Sequence, residues 1–399
     1  MGRLIMHIDL NAFYATAEEI RNPALRGKPI LIGHEGRSGI VSTASYTARR
    51  KGCHSGQPMF QALRLCPEAV VIQPDFHYYE VLSLSFFAYL SSYSRLIEKA
   101  SIDEAYVDMT KPLLKSKDPV AYLRAMQLDL KAKTGLSCSI GLAKTKWLAK
   151  MGSDLHKPLG LTIIRQRDIE KIVYPLPIES FWGIGKKTAP ELREKGCKTI
   201  GDLASRLKEG DEEIYRLLGK FAYTCLDWVR GKGDDEIVVE PEEAKSIGNS
   251  TTLSRDCSGF DEVSPEVRKL SEEVARRAKE AKKSGLTLTL SVKDTQFRMH
   301  SRSKTFEEPL SDASTIYAEA ESLYRKSFEA MDVRLVGISL SKLVNPLKRT
   351  VQMTIWNYEE YENADKTRKI INEINRKLSK PLLKRGSEVE RKGGKGDGH

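Results

Sequence analysis

Ala100-Ser101-Ile102-Asp103-Glu104-Ala105-Tyr106-Val107-Asp108 places two adjacent carboxylates inside an apolar run. Neighbouring side chains of a straight strand point to opposite faces. Asp103 and Glu104 therefore serve one site only at a strand end, a bulge or a hairpin turn. The flanks favour the hairpin, with Leu96 to Ala100 leading in and Ala105 to Met109 leading out. An unpaired carboxylate is expensive to desolvate, so a partly buried pair calls for cations, and a divalent metal is the obvious one. Asp108 reads as a strand-end residue.

A third carboxylate lies far off in sequence. Leu4-Ile5-Met6-His7-Ile8-Asp9-Leu10 is a short apolar run followed by helix signals, the pattern of a buried strand with Asp9 at its end. Three carboxylates at the ends of paired strands form an oxygen-rich site suited to magnesium, which keeps positions for water and phosphate. Two such ions about 3.5–4 Å apart clamp the attacking and leaving oxygens of a phosphoryl transfer.

Composition narrows the setting. The 399 residues are enough for two or three domains. A hydrophobic content of 40% and a mean hydropathy of −0.42 predict a soluble chain. Nothing approaches the roughly 20 apolar residues that span a bilayer. Arg3 and the apolar segment after it lack a small-residue cleavage site, so no signal peptide is indicated. Six cysteines without a CxxC pair argue for reduced thiols in the cytoplasm, against zinc or a disulfide frame. The net charge of +11 favours a polyanionic partner, nucleic acid first.

In chain order, Asn11 to Ile20 is helix-compatible and stops at Asn22-Pro23. Its pair Phe13-Tyr14 is either core or a ring at the edge of the metal site. Ile30–Gly33 and Ile40–Ala44 read as strands around a glycine-studded loop. Tyr46, Arg49 and Arg50 then nearly share a helical face, either a solvated basic helix or a tyrosine hydroxyl and arginine fork for a triphosphate. Residues 58–74 give a short helix and a strand, 76–97 a long aromatic helix, 119–134 an amphipathic helix and 137–142 a strand. Lys144 to Ser153 is a basic helix, and the turn Lys157-Pro158-Leu159-Gly160 brings a lysine near the same region. Strands near 4–10, 97–100, 105–109 and 137–142 predict an α+β sheet with helices on one face.

Residues 166–230 read as helical. Within them Gly183-Ile184-Gly185-Lys186 is a tight turn before a helix, whose exposed N–H groups suit a DNA phosphate. Gly231 to Glu243 reads as a linker. A second α+β module follows, with strands near 246–253, 286–293, 296–306 and 334–343 and helices near 264–284 and 311–330. Arg298, His300, Arg302 and Lys304 recur at period two, so they share one sheet face and form a natural phosphate-binding surface or a solvated one. After Pro346 come Gln352-Met353-Thr354-Ile355-Trp356, a helix near 364–379, and a Gly- and charge-rich end that reads as disordered.

Five motifs, in order, resemble the Y-family translesion DNA polymerases: Ile8-Asp9-Leu10-Asn11-Ala12-Phe13-Tyr14, Ser42 to Arg49, Ser101-Ile102-Asp103-Glu104-Ala105-Tyr106, Lys157 to Gly160, and Gly183-Ile184-Gly185. The resemblance covers residues 1 to about 345. It implies an α+β right-hand polymerase. The palm is residues 1–11 and 77–165, the fingers 12–76, the helix–hairpin–helix thumb 166–233, the linker 234–244, and the little finger 245–345; a tail, 346–399, follows. It implies that Asp9, Asp103, Glu104 and the Leu10 carbonyl hold two Mg2+ ions. Phe13, Tyr14, Thr43, Tyr46, Arg49 and Lys157 bind the dNTP, with Tyr14 as the steric gate against ribonucleotides. Gly183, Gly185, Lys186, Arg298, His300, Arg302 and Lys304 contact the primer–template. The product is DNA made with low fidelity and past lesions, by a cytoplasmic monomer with no segment left for a proofreading exonuclease.

Gln352, Ile355 and Trp356 resemble a sliding-clamp-binding peptide. Departures are Ala12, where some members have an aromatic ring, and Trp182, where proline is common. Two rivals use similar features. A nucleotide cyclase also needs two metals but no DNA-binding turn, and a non-catalytic DNA-binding relative would lack the carboxylates.

Overall fold

The computed structural model describes residues 2–240 and 243–345. The chain divides into two compact units, Met1–Glu243 and Ala244–His399.

The first unit opens with β1 (Ile5–Leu10), α1 (Phe13–Arg21), β2 (Ile30–Gly33), β3 (Val41–Ala44), α2 (Tyr46–Arg49), α3 (Met59–Leu65) and β4 (Val70–Ile72). Next are α4 (Phe76–Ser91), β5 (Ile97–Lys99), β6 (Glu104–Asp108), α5 (Thr110–Leu114), α6 (Pro119–Thr134), β7 (Cys138–Ala143), α7 (Lys146–Asp154) and β8 (Leu161–Ile164). Five short helices end it: α8 (Ile169–Ile172), α9 (Thr188–Glu194), α10 (Ile200–Glu209), α11 (Glu212–Leu218) and α12 (Phe221–Val229). Local chemistry sets many of the boundaries. Asp118 caps α6 through the N–H groups of Val120 and Ala121, Pro119 occupies its first turn, and Gly135 ends it at φ 75°. Helix α4 stops at Ser91, short of the sequence expectation. The Leu96 carbonyl is already committed to the Asp108 N–H of the hairpin.

The main sheet runs β5-β6-β1-β7-β8, with β1 central and all six of its residues buried. Strand β8, absent from the sequence reading, pairs parallel with β7. A parallel pair needs a crossover, and α7 is that crossover. It lies on the face opposite α4 and α6, so the sheet is covered on both faces rather than one. Met6, Ile8, Leu10, Ala105, Val107, Ile140 and Leu142 pack with Tyr79, Phe86, Leu123 and Met126 from α4 and α6. Ile5, Tyr106 and Ala143 pack with Trp147 and Leu148 of α7. Strand and helix meet at Gly141, where an added Cβ would stand 1.9 Å from the Ala149 carbonyl oxygen and 2.5 Å from the Ser153 nitrogen. Only glycine lets α7 lie this close.

A smaller sheet, β3-β2-β4, follows the sequence reading closely. The segment read as a linker is partly docked on its own unit. Lys146 Nζ lies 2.8 Å from Asp234, the Val238 N–H donates to Glu98 at 2.7 Å, and Ile237 is buried.

The second unit is an antiparallel sheet, β11-β10-β12-β9, formed by β9 (Ser246–Ser258), β10 (Ser284–Asp294), β11 (Met299–Leu310) and β12 (Asp332–Val344). Helices α13 (Gly259–Glu280) and α14 (Ala313–Ser327) cover one face, over Leu288, Leu290, Val292, Val336, Ile338 and Leu340. Register decides which face of the sheet the basic row takes. His300, Arg302 and Lys304 stand opposite Val292, Leu290 and Leu288, on the helix side of an edge strand. Inward-pointing charges are one way an edge strand avoids pairing with another sheet. Arg298 and His300 engage Asp294, Lys304 engages Glu319, and the Arg302 guanidinium lies over Phe328. The open face instead carries hydroxyls. Ser301, Ser303 and Thr305 of β11 face Ser291, Thr289 and Thr287 of β10, and Ser339 and Ser341 continue the rows on β12.

Candidate active site

The hairpin and the central strand bring the three carboxylates to one end of the main sheet. Asp9 of β1 stands directly opposite Glu104 of β6. Asp103 occupies the turn before β6, and its carbonyl accepts from the Leu10 N–H at 3.0 Å, tying the end of β1 to the hairpin. The Ser101 hydroxyl donates to Asp103 Oδ1 at 2.5 Å and accepts from the Asp103 N–H, which fixes the turn. The adjacency of Asp103 and Glu104 is thus resolved as the sequence implied, at a turn.

Two lysines from α7 and the loop after it stand among these acids. Lys150 Nζ lies 2.8 Å from Glu104, 3.5 Å from Asp9 and 3.7 Å from Asp154. Lys157 Nζ lies 2.7 Å from both Asp9 and Asp154. Burial, then the neighbouring Glu104, pushes the Asp9 carboxyl up to about 7. Burial works the same way on Glu104, but His7, Asp9 and Lys150 outweigh it and hold that carboxyl well below its usual value. Burial also raises Asp103, against the Ser101 hydrogen bond. Lys150 and Lys157 keep raised pKa values despite desolvation because their carboxylates favour the charged form.

Lys150 and His7 are site residues that the sequence reading missed; only His7 left a signal in the sequence, and Lys150 is marked by its burial. Ser153 and the six residues before it in α7 are buried, so a lysine there requires an anion. His7 is two residues from Asp9, on the same strand face.

The other candidates sort into those the fold gathers and those it turns away. Tyr14 is gathered: burial, then the Asp103 carboxylate, raises its hydroxyl pKa. Its ring stacks on Tyr79 at 4.4 Å and meets Phe76 edge-on, and the buried Tyr79 hydroxyl donates to Glu18 at 2.9 Å. Phe13 is a core residue beneath it, 2% exposed. Tyr46 faces Asn11, whose Oδ1 lies 3.4 Å from the Tyr46 hydroxyl and accepts from Ser139 at 2.8 Å. Arg49 is folded back, donating to the Ala44 carbonyl at 2.9 Å, and Thr43 is half-buried on β3. Gly183 (φ 104°) and Gly185 form the expected turn. An added Cβ at Gly183 would strike Phe221, whereas Gly185 and Lys186 face open space or solvent. The helix after the turn has only seven residues, so its dipole adds little. Gln352, Ile355 and Trp356 lie outside the described residues.

Two cavities lie in this part of the unit, and of the three acids only Glu104 lines either of them. One of about 660 Å³ is lined by Asn11, Ala12, Ser45, Tyr46, Ser137 and Pro158. Another of about 380 Å³ is lined by Glu104, Lys150, Tyr106, Trp147, Trp182 and Trp228. Among the described residues no three His, Cys, Asp or Glu side chains converge at ligating distance. Asp9 and Glu104 are turned to the lysines and Asp103 to Ser101. The donor set still fits a hard cation: it is all oxygen, partly buried, and already neutralised by positive charge at the same place.

Comparison with known proteins decides the family. Residues 8–154 match the impB/mucB/samB family, 244–355 its C-terminal domain, and 167–196 the IMS family HHH motif. The DNA polymerase IV of Bacillus velezensis is 37% identical, covering 98% of this chain and 94% of its own length. DNA polymerase IV 1 of Bacillus subtilis is 36% identical over 100% of this chain and 96% of its own. The chain belongs to the impB/mucB/samB family, the Y-family DNA polymerases. Solved Y-family structures agree with the fold. A Dbh–Dpo4 polymerase chimera superposes with a TM-score of 0.75 at 27% identity, covering 86% of this chain and 99% of that one. An insertion ternary complex of Dbh DNA polymerase superposes at 0.57 and 27% identity, again covering 86% and 99%. As a Y-family enzyme the protein is a divalent-metal-dependent, DNA-directed DNA polymerase.

Proposed function

We propose that this polymerase extends a primer 3′ end on a DNA template, past lesions, and that Asp9, Asp103 and Glu104, with the Leu10 carbonyl, hold two Mg2+ ions. The observation that carries the site is the Asp9–Glu104 register with Asp103 at the adjoining turn. When bound, the ions stabilise charge developing on the attacking and leaving oxygens. The chain's own residues do the rest. Tyr46 and Lys157 bind the triphosphate beside the Asn11 loop, Lys157 swinging from Asp9 to phosphate on its flexible stem. Arg49 and Thr43 complete that side after Arg49 leaves the Ala44 carbonyl. Tyr14, backed by Tyr79, closes the space beside the sugar C2′. The cavity containing Glu104 and Trp182 takes the primer end.

We assign the sheet around β1 to the palm, the β2–β4 region to the fingers, the α8–α12 helices to the thumb and the second unit to the little finger. The Gly185 amide and Lys186 hold the primer backbone. In the little finger the hydroxyl rows of the open face suit a phosphate backbone better than Arg298, His300 and Lys304, which pair with acids of the same unit, and Arg302, which lies over Phe328. Hydroxyls and backbone groups position DNA without reading its sequence, which suits a polymerase. We further propose a cytoplasmic monomer that engages a sliding clamp through Gln352, Ile355 and Trp356. The free state of all six cysteines supports the compartment. Among the described residues no helix is long and apolar enough to cross a membrane.

Primer extension with Mg2+ and dNTPs tests the assignment. Wild type extends, Asp103→Ala binds the same DNA without extending it, and an abasic template measures bypass. Extension by Asp103→Ala at the wild-type rate rejects the carboxylate site. Inactivity of both proteins with DNA binding intact favours a non-catalytic relative.

A further inference from the structure

The loop that carries Lys157 is held from behind by groups that the chemistry above does not use. Leu159 has a left-handed backbone, φ 62°, and its side chain is 44% exposed, so no burial of its own offsets the strain. Such a conformation persists only where the surroundings over-determine it. Here the surroundings are two side chains of α6. The Arg124 guanidinium donates through Nη1 to the Leu159 carbonyl at 2.8 Å and to Gln127 Oε1 at 2.9 Å. Gln127 is buried, and its amide N–H groups donate to the carbonyls of Gly160 and Cys138, both at 3.0 Å. The Gly160 carbonyl also accepts from the Ile140 N–H at 2.9 Å. The loop is thus fastened to the helix and to β7 together.

The same frame reaches Tyr46. Ser139, fully buried on β7, accepts from the Gly160 N–H at 3.2 Å and donates its one proton to Asn11 Oδ1 at 2.8 Å. That oxygen also accepts from the Tyr46 hydroxyl at 3.4 Å. No donor or lone pair along this path is claimed twice. A buried network satisfied in this way rigidifies its members. It runs from α6 through the backbone of the Lys157 loop and across β7 to the first residue of α2.

We propose that Gln127, with Arg124, is a positioning residue for the incoming nucleotide: it fixes the backbone of the Lys157 loop within reach of the triphosphate, in one frame with Tyr46. The inference rests on the reading of Lys157 and Tyr46 as triphosphate ligands. The lysine stem turns freely between Asp9 and phosphate, so what has to be fixed is the backbone from which it starts. A misplacement of about 1 Å far from the chemistry can cost about 10²-fold.

Gln127→Met keeps the buried stem and removes the amide's hydrogen bonds. The full chain is assayed by single-turnover primer extension at saturating Mg2+, which gives the dNTP Kd and the maximal rate separately. Gln127→Met is expected to raise the dNTP Kd about tenfold while the primer–template Kd stays within about twofold of wild type. In a Lys157→Met background the same substitution should change the dNTP Kd by less than about threefold, because the group it positions is gone. An unchanged dNTP Kd overturns the proposal. So does an equal rise with and without Lys157, which is the mark of a general loosening of α6. If Gln127→Met does not fold, Arg124→Ala at the surface releases the Leu159 carbonyl. A dNTP Kd raised about threefold there, only where Lys157 is present, supports the role, and an unchanged one refutes it. Lys157→Met alone is the control. If it leaves the dNTP Kd at the wild-type value, the triphosphate reading fails and this inference with it. A rise in Lys157→Met with none in Gln127→Met rejects the positioning role alone.

Discussion

Lys150→Met removes the ammonium from the centre of the acidic cluster and keeps the apolar stem. The side chain is only 10% accessible, with Glu104 at 2.8 Å, Asp9 at 3.5 Å and Asp154 at 3.7 Å. Removing one partner of a buried ion pair typically costs about 3–5 kcal/mol, because the other charge stays buried. Here Asp9 retains Lys157 at 2.7 Å and Asp154 is 46% accessible, so the loss falls mainly on Glu104. The lower bound, about 3 kcal/mol, is therefore the expected cost. In a unit of this size 1 kcal/mol moves Tm by about 2–4 °C, which gives a fall of about 6–12 °C. That fall belongs to the metal-free protein. A divalent cation does the lysine's electrostatic work, so Mg2+ should narrow the gap between variant and wild type. The assay is thermal unfolding of both proteins by circular dichroism, in chelator and then in Mg2+. Equal melting in chelator, or a gap that widens with Mg2+, refutes the idea that Lys150 stands where a cation belongs.

Tyr14→Ala should admit ribonucleotides. Forcing an extra group against a fixed ring costs roughly 1–3 kcal/mol, so the dNTP preference in kcat/KM should fall by about ten- to a hundredfold, and unchanged sugar selectivity would remove Tyr14 from the gate. Ser303→Glu on the open face of the second unit should weaken primer–template binding about fivefold, the effect of one like charge near a phosphate at about 1 kcal/mol, whereas Arg302→Ala on the other face should change it less than about twofold; the reverse order makes the basic strand the DNA surface. Burial raises the thiol pKa of Cys53, Cys138, Cys197, Cys225 and Cys257, with Cys138 and Cys225 pushed up to about 12. A raised pKa depletes the reactive thiolate, so these thiols should resist Ellman's reagent in the native protein at about pH 8 and react on denaturation, and rapid native labelling at any of them would contradict that burial.

The parts of the fold legible in the sequence are those where short-range chemistry decides. The Asp103–Glu104 hairpin, the β1 run, and α6 between Asp118 and Gly135 all announce themselves through charge placement, hydrophobic runs and caps. What stayed hidden depends on partners far along the chain. Leu161–Ile164 is too short to stand out, and without it nothing requires α7 to cross to the second face. Lys150 looks like one charge of a basic helix until its burial among Glu104, Asp9 and Asp154 is seen. Period two correctly put His300, Arg302 and Lys304 on one face, but only the register against Leu288, Leu290 and Val292 says which face. The resemblance to Y-family polymerases supplied Tyr14 and Lys157 directly. It could not reveal that Lys157 rests on Asp9, since that contact belongs to the metal-free protein.

The close crossing of β7 and α7 at Gly141 bears on how the enzyme loads its ions. With a carbonyl and an amide nitrogen where a methyl group would otherwise sit, helix and strand backbones are in direct contact, and such close packing resists a shift of either. The Lys150 backbone is thereby a fixed anchor, and handing the carboxylates from ammonium to metal becomes a matter of torsions along one four-carbon stem. Such a site charges and discharges without reshaping the sheet. On the proposed three-carboxylate reading its readiness is then governed by ion concentration and side-chain rotation, since Asp9 and Glu104 already stand opposite each other on paired strands.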